Sequence, residues 1–64
     1  MKETELWARL QHHLGAGYYR VWAAEQSLGE LGGRTVVEAL EAGVPAKDVW
    51  RAAWAALELP ARDR

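Results

Sequence analysis

Apolar residues recur at intervals of three and four along most of this chain, the spacing that places them on one face of an α-helix. In the first segment Leu6, Leu10 and Leu14 form such a stripe together with Trp7. The pattern predicts an all-α fold, a single compact bundle of four short helices around one core. The predicted helices cover residues 4–14, 18–31, 36–42 and 45–58.

The ends of these helices are marked by residues with known capping preferences. Thr4 is predicted to cap the first helix, and Gly15 to end it, because glycine adopts the left-handed C-cap conformation without steric cost. Thr35 and Glu38 have the spacing of a capping box, in which each side chain bonds the backbone N–H of the other residue. Pro45 suits the first turn of the last helix, where its missing N–H would be unpaired in any case.

One residue breaks the pattern of the second helix. The predicted inward arc of this helix consists of Tyr18, Val21, Trp22, Ala24, Leu28 and Leu31. Tyr19 falls on the outward side. Glu25 falls inside the apolar arc, where an unpaired carboxylate is costly. We therefore expect Glu25 to form a structural ion pair, with Arg34 or Arg51 as the cation and Glu25–Arg34 as the first candidate.

Four tryptophans in 64 residues supply a large share of the apolar surface. Each can bury about 150 to 250 Å², so the default interpretation is a core of Trp, Leu and Val with the last helix at its centre. The apolar arc of that helix is nevertheless wider than one neighbouring helix can cover, and part of it is a candidate for contact with a partner. The candidate interaction surface consists of Trp7, Trp50, Trp54 and Leu57.

Composition narrows the possible chemistry. Nine acidic and eight basic residues are interleaved, so no strong electrostatic footprint for nucleic acid or membrane is present. The chain has no cysteine and two histidines, which excludes disulfides and leaves too few ligands for a structural zinc site. No segment approaches the length that spans a bilayer, and no signal peptide is apparent. We expect one cytoplasmic domain over residues 1–64, with residues 60–64 as a frayed tail.

Three short stretches resemble reactive or ligand-binding sites without meeting their requirements. His12 and His13 are sequence neighbours, so on a helix they diverge by about 100° and cannot chelate one ion from the same face. Ser27 lacks the preceding glycine of a nucleophile elbow. The run Gly32-Gly33-Arg34 sets a cation beside a helix start but lacks the spacing of a P-loop. We expect no catalytic, cofactor-binding or metal-binding residues, and we expect that the protein is not an enzyme.

Residues 38–53 also resemble the helix-turn-helix of bacterial repressors, because the turn Ala42-Gly43-Val44 is followed by a helical segment with Val49 and Arg51 in the order Val-x-Arg. In that motif the second helix lies in the major groove, and its exposed residues, here Lys47, Asp48 and Arg51, read base edges. Two cations with an intervening acid make a thin surface for binding phosphate. Nucleic-acid binding through Lys47 and Arg51 is therefore the alternative function, and a purely structural helical corner is the simpler interpretation.

Several strings spread over the chain match one bacterial family. They include Thr4-Glu5-Leu6-Trp7, Leu31-Gly32-Gly33-Arg34-Thr35, Glu38-Ala39-Leu40, Val49-Trp50-Arg51-Ala52 and Leu59-Pro60. On these residues the chain resembles a family of short proteins from high-GC Gram-positive bacteria, the domain of unknown function DUF3046. Val44 stands where members tend to carry Asp, and Trp54 where they often carry Cys. The resemblance brings no activity with it, but members are often encoded near the strand-exchange recombinase and its regulator, which implies a DNA-repair setting.

Together these features favour a small non-enzymatic protein-interaction module. Its expected partner is another protein, with a second copy of this chain included, and no cofactor or membrane is expected. Docking is expected through the apolar edge of the terminal helices.

Overall fold

Four α-helices form the framework of the part of the chain that the structure, a computed structural model, describes, which is residues 1–63. They are α1 (Glu3–Leu14), α2 (Tyr19–Glu25), α3 (Val36–Glu41) and α4 (Ala46–Ala56). Two short 3-10 turns, Gly29–Leu31 and Ala61–Asp63, follow α2 and α4. These 63 residues contain no strand, only an isolated antiparallel bridge between Leu28 and Arg34, so the predicted all-α bundle is confirmed. None of their helices is long and apolar enough to cross a membrane.

The helix α1 begins one residue earlier than predicted and is not capped by Thr4. Its N-cap is Lys2, whose carbonyl accepts hydrogen bonds from the backbone N–H groups of Glu5 at 3.0 Å and Leu6 at 3.1 Å. Thr4 therefore already lies inside the first turn, and no side chain caps this end. Acidic residues in the first turn interact favourably with the helix dipole instead. At the other end, the helix stops at the predicted Gly15, whose φ of 91° and ψ of 151° form a positive-φ conformation open to glycine but not the predicted left-handed one.

The helix α2 is much shorter than predicted, since it ends at Glu25 rather than continuing to residue 31. The backbone is extended at Leu28, with φ −111° and ψ 123°. The Leu28 N–H donates to the Arg34 carbonyl at 3.0 Å, which closes the intervening residues into a loop. The second half of the predicted helix is thus a loop that contains one 3-10 turn.

Glycine contributes to the early end of this helix. Gly29 would lie inside the predicted helix, where a glycine costs about 1 kcal/mol relative to alanine, and Gly32 and Gly33 follow directly after its predicted end. Gly32 and Gly33 instead adopt φ angles of 69° and 86°, which glycine tolerates without a steric penalty. The loop still brings Leu28 and Leu31 into the core, as the predicted helix would have done. The apolar spacing therefore fits both structures, and only the backbone distinguishes them.

If residue 29 lies in this loop, the protein should tolerate proline at that position without a loss in the free energy of unfolding. Gly29 is the first residue of the 3-10 turn, its φ is not positive, and a Cβ built on it meets no atom within 4 Å. The preceding Leu28 is already extended, as a residue before proline prefers to be. We therefore expect Gly29→Pro to leave the free energy of unfolding unchanged or to raise it by up to about 1 kcal/mol.

A helix that continued through residue 29 would instead lose about 3 kcal/mol on the same substitution. Urea denaturation followed by circular dichroism separates the two outcomes, with Gly29→Ala as the control. A loss near the helical value would contradict the loop.

The helix α3 is bounded by the predicted caps. The Thr35 hydroxyl accepts a hydrogen bond from the Glu38 N–H at 3.1 Å, and the Glu38 carboxylate accepts one from the Thr35 N–H at 2.9 Å, so the capping box is confirmed. The turn after the helix contains Gly43 with φ 89°. There the Val44 N–H donates to the Ala39 carbonyl at 3.0 Å, the long hydrogen bond of a Schellman motif.

The helix α4 begins at Ala46, with Pro45 as its N-cap, and ends in a left-handed residue that is not glycine. Glu58 has φ 54°, and the Leu59 N–H donates to the Trp54 carbonyl at 3.2 Å, again in a Schellman motif. This conformation costs a residue with a side chain about 1 to 2 kcal/mol. Packing of Leu59 and Trp54 against the core offsets part of that cost.

Residues 60–63, part of the tail for which fraying was predicted, fold back on α4 in the described structure. The Trp54 indole N–H donates to the Pro60 carbonyl at 2.8 Å, and the Trp50 indole N–H donates to the Asp63 carbonyl at 3.0 Å. An indole N–H that is removed from water needs an acceptor, and these carbonyls supply one to each ring. Residues 60–63 are therefore tied to α4, while Arg64 lies outside the described residues.

The core lies between the helices, with α4 at its centre. The helix α4 packs on α1, on α3 and on the 3-10 turn Gly29–Leu31, while α2 packs on α1 and α3. The central position predicted for the last helix is confirmed. The buried apolar residues are Leu6, Leu10, Tyr19, Trp22, Ala23, Leu28, Leu31, Val36, Ala39, Val49, Trp50, Ala52 and Ala53.

Candidate functional site

The helix α2 carries apolar residues on both its inner and its outer side, and the outer side is exposed. The inner, buried side consists of Tyr19, Trp22 and Ala23. The outer side consists of Val21, which is 47% exposed, the exposed Ala24, and Tyr18 at the helix start, which is 52% exposed. A helix with apolar residues on two sides normally has both of those sides covered. We refer to Tyr18, Val21 and Ala24 as the α2 face.

Two residues of opposite charge flank Val21 and Ala24, the two helical residues of the α2 face. Arg20 lies on one flank, where its Nε donates to the Tyr19 hydroxyl at 3.0 Å and its guanidinium carbon lies 5.5 Å from the centroid of that ring. Glu25, at the end of the helix, lies on the opposite side of Val21 and Ala24 from Arg20, within the arc between Val21 and Tyr18, and is exposed. Residues 1–63 form one ion pair, between Arg9 and Glu5, so neither flanking charge is neutralised within this part of the chain.

The expected ion pair between Glu25 and Arg34 is not formed in the described structure. Arg34 lines a groove of about 470 Å³ together with Arg51, Glu30 and Asp48, and Glu25 is not part of this groove. The expectation failed because it placed Glu25 in the middle of a longer helix, on a side that was assumed to face inward. Glu25 is in fact the last residue of α2 and is exposed, so no buried cation is needed.

An aromatic groove of about 480 Å³ shares Tyr19 and Arg20 with the surroundings of the α2 face. It is lined by Thr4, Trp7, Ala8, Gln11, Tyr19 and Arg20. Trp7 is partly buried and meets the Tyr19 ring edge to face, with the ring centroids 6.1 Å apart. The first residue of the predicted interaction surface therefore lies on the same side of the molecule as α2.

Of the other three residues of the predicted surface, Trp50 is buried, whereas Trp54 and Leu57 are partly buried, as Trp7 is. Trp50 is 1% exposed, because His13 stacks on its ring at 5.8 Å between centroids and the Arg9 guanidinium lies 5.5 Å from the ring centroid. Trp50 thus belongs to the core and is removed from the surface. Trp54 and Leu57 are partly buried and pack against the core.

A third groove, of about 400 Å³, brings the two histidines together with charged residues. It is lined by Glu5, Ala8, Arg9, His12, His13, Trp50, Arg62 and Asp63. The two imidazoles meet edge to face with their centroids 5.0 Å apart, although the two residues are sequence neighbours. The two arginines of the groove balance its two carboxylates. Throughout residues 1–63, no three histidine or carboxylate side chains are placed so that they could hold a metal ion.

The two-helix corner expected over residues 38–53 is formed by α3 and α4. Lys47, Asp48 and Arg51 are all exposed on α4. The groove beside Arg51 contains two arginines and two carboxylates, so its charges balance. The corner therefore exposes the residues that a recognition helix would use, but on a surface with little net positive charge.

Sequence reasoning missed the α2 face because it assigned four residues of this segment to the wrong side, although Trp22 is buried as predicted. It placed Tyr18, Val21 and Ala24 inside and Tyr19 outside, whereas the structure does the opposite. With apolar residues on both sides, periodicity alone cannot select the inner side. The signal that could have found the face is Glu25, since a carboxylate on an apolar arc is more simply explained by an exposed arc than by a buried ion pair.

Comparison with known proteins places the chain by family alone. No curated protein and no solved structure matches it. Residues 1–62 match the family described as a protein of unknown function (DUF3046), and the chain therefore belongs to the DUF3046 family.

Proposed function

We propose that this chain is a small non-enzymatic protein-interaction module that docks on its partner through the α2 face. One observation carries the proposal: α2 is apolar on its outer side as well as on its inner side, and Tyr18 and Val21 remain about half exposed. Removing such a surface from water stabilises a complex by roughly 25 cal/mol of free energy per Å² of apolar area. Contiguous apolar surface bordered by charged residues is typical of protein-binding sites.

The neighbouring aromatic groove strengthens the proposal. Tryptophan, tyrosine and arginine contribute most of the binding energy at many interfaces, and this groove brings Trp7, Tyr19 and Arg20 together. Tyr19 is buried and bonded to Arg20, so both side chains are held in place before a partner binds. Side chains that are already ordered lose less conformational entropy on binding. The proposed site is the α2 face with the groove beside it, rather than the edge of α4.

Photo-crosslinking in the native host tests this proposal. A benzophenone amino acid in place of Val21 lies in the α2 face, and the same amino acid in place of Lys47, which is exposed on α4, is the matched control. We expect a discrete crosslinked polypeptide from position 21 that does not form from position 47. Adding Ala24→Arg places a charge in the α2 face and is expected to abolish the adduct. No adduct from position 21, or the same adducts from both positions, would overturn the proposal.

Nucleic-acid binding through the corner between α3 and α4 is a second candidate function. It is favoured by the exposure of Lys47 and Arg51 and by the position of Arg34 beside Arg51. None of these three cations forms an ion pair within residues 1–63. Asp48 and Glu30 lie in the same groove and weaken the attraction for phosphate. A mobility shift of duplex DNA that falls steeply with salt and is lost in Arg51→Glu would support this function, and no shift at low salt would exclude it.

A further inference from the structure

We infer that the partner on the α2 face is a second copy of this chain, bound so that the two α2 helices run parallel. This inference rests on the proposed function and names the partner of the same site. The order of charged and apolar residues along α2, together with the exposure of each, points to it.

Arg20, Val21, Ala24 and Glu25 stand in the order of a parallel two-stranded coiled coil. In such a pair the central seam holds apolar residues spaced three and four apart, and charged residues flank the seam on both sides. Val21 and Ala24 form the seam here, Arg20 directly precedes it, and Glu25 directly follows it. In a parallel pair the two flanks face each other across the seam. Arg20 of each copy then lies beside Glu25 of the other, so the contact forms twice.

Symmetry favours the parallel arrangement over the antiparallel one. In a parallel pair the two-fold axis runs along the helices and brings unlike flanks together. In an antiparallel pair the axis runs across the helices and brings like flanks together, so Arg20 would face Arg20 and Glu25 would face Glu25. Juxtaposed like charges disfavour that arrangement.

Both flanking side chains are available for these contacts. Glu25 is exposed and forms no ion pair within the described part of the chain. Arg20 uses its Nε for the hydrogen bond to Tyr19, which leaves its two terminal nitrogens for a carboxylate. The buried Tyr19 also holds the Arg20 side chain in place. An unrelated partner would have to present the same charge order, whereas a second copy presents it by identity.

The contact is small, so the dimer is weak. A stable interface covers about 800 Å² on each partner, which is roughly one fifth of the 4100 Å² that the chain exposes. Two turns of α2 cover less than that, even with Tyr18 at one end and the aromatic groove alongside. We therefore expect a transient dimer with rapid exchange between monomer and dimer.

Charge reversal at the flanks tests the inference. The dissociation constant of the purified dimer is measured by sedimentation velocity and by chemical-shift changes on dilution from millimolar concentration. Arg20→Glu and Glu25→Arg are each expected to weaken the dimer about tenfold, because each change turns two attractions into two repulsions. The double variant Arg20→Glu/Glu25→Arg is expected to return to within about threefold of the original value. Lys47→Glu makes the same change of charge on α4 and is expected to have no effect.

Three results overturn the inference: a chain that stays monomeric at millimolar concentration, a dimer that is indifferent to both reversals, or a double variant that is not rescued. Arg20→Glu also loses the bond to Tyr19, so thermal unfolding of each variant accompanies the measurement. If that variant does not fold, Glu25→Arg carries the test. In the crosslinking at Val21, an adduct with a different polypeptide and none of doubled mass defeats this inference but not the proposed function. The absence of any adduct defeats both.

Discussion

Replacing Trp50 with alanine is expected to remove about 3 to 5 kcal/mol from the free energy of unfolding and to leave much of the isolated chain unfolded. Trp50 is the largest side chain that the described structure buries completely, with 1% of its surface exposed. At about 0.05 to 0.15 kcal/mol per residue, a domain of this size has a total stability of only about 3 to 10 kcal/mol. The loss of one ring therefore consumes most of it.

The size of this effect follows from the position of the Trp50 ring, which projects from α4 and packs between α1 and the folded-back tail. The indole N–H donates to the Asp63 carbonyl at 3.0 Å, and His13 and Arg9 pack on the ring. Alanine leaves a cavity beside the middle of α4 and removes the hydrogen bond that holds the 3-10 turn Ala61–Asp63. Trp50→Phe keeps most of the apolar volume but loses the donor, and we expect it to cost about 1 to 3 kcal/mol.

Urea denaturation followed by far-UV circular dichroism measures these losses. Trp7→Ala is the matched control, because it removes the same side chain from a partly buried position at the edge of α1. We expect its loss to be smaller than that of Trp50→Ala by at least about 1 kcal/mol, since an edge site relaxes around the missing ring. Equal losses at the two positions would contradict the central role of Trp50.

The features that could be predicted from sequence are those fixed by hydrogen bonds between residues close in the chain. Thr35 and Glu38 are three positions apart, and their capping box needs nothing from the rest of the protein. The turn at Gly43 is equally local, because the left-handed conformation suits glycine whatever packs around it. Such contacts set the ends of α3 almost to the residue.

The features that could not be predicted depend on contacts between distant parts of the chain. Leu28 and Leu31 have a spacing that suits a helix, and they reach the core from the loop instead, through the backbone bridge from Leu28 to Arg34. The orientation of α2 also depends on distant contacts. Tyr18 and Tyr19 are adjacent and have the same side chain, so only packing on α1 and α3 decides which of them is buried.

The candidate site was only partly predictable for the same reason. The wide apolar arc of α4 correctly indicated more surface than one helix can cover, but the arc does not say what covers it. In the structure α1, α3 and the 3-10 turn pack on α4, and the tail folds back on Trp50 and Trp54. The helix left without a cover is α2, whose apolar residues are fewer but exposed.

Leu28→Ala is expected to remove about 2 to 4 kcal/mol from the free energy of unfolding, a large effect for a loop residue. The side chain is 2% exposed and belongs to the core. The Leu28 N–H donates to the Arg34 carbonyl, and the Leu28 carbonyl accepts from the N–H groups of Leu31 and Gly33, each at 3.0 Å. These backbone bonds survive in alanine. The loss therefore measures what the side chain contributes to the core.

Ser27→Ala is the matched control for this prediction, because Ser27 is exposed in the same loop and should change the stability by no more than about 0.5 kcal/mol. Denaturation of both variants in urea compares them directly. Equal and small effects would mean that the loop lies outside the cooperative core. A large loss confined to Leu28→Ala would instead show that the loop belongs to the cooperative core, together with its turn Gly29–Leu31, which packs on α4. A short α2 followed by this loop thus buries the same leucine that a longer helix would have buried.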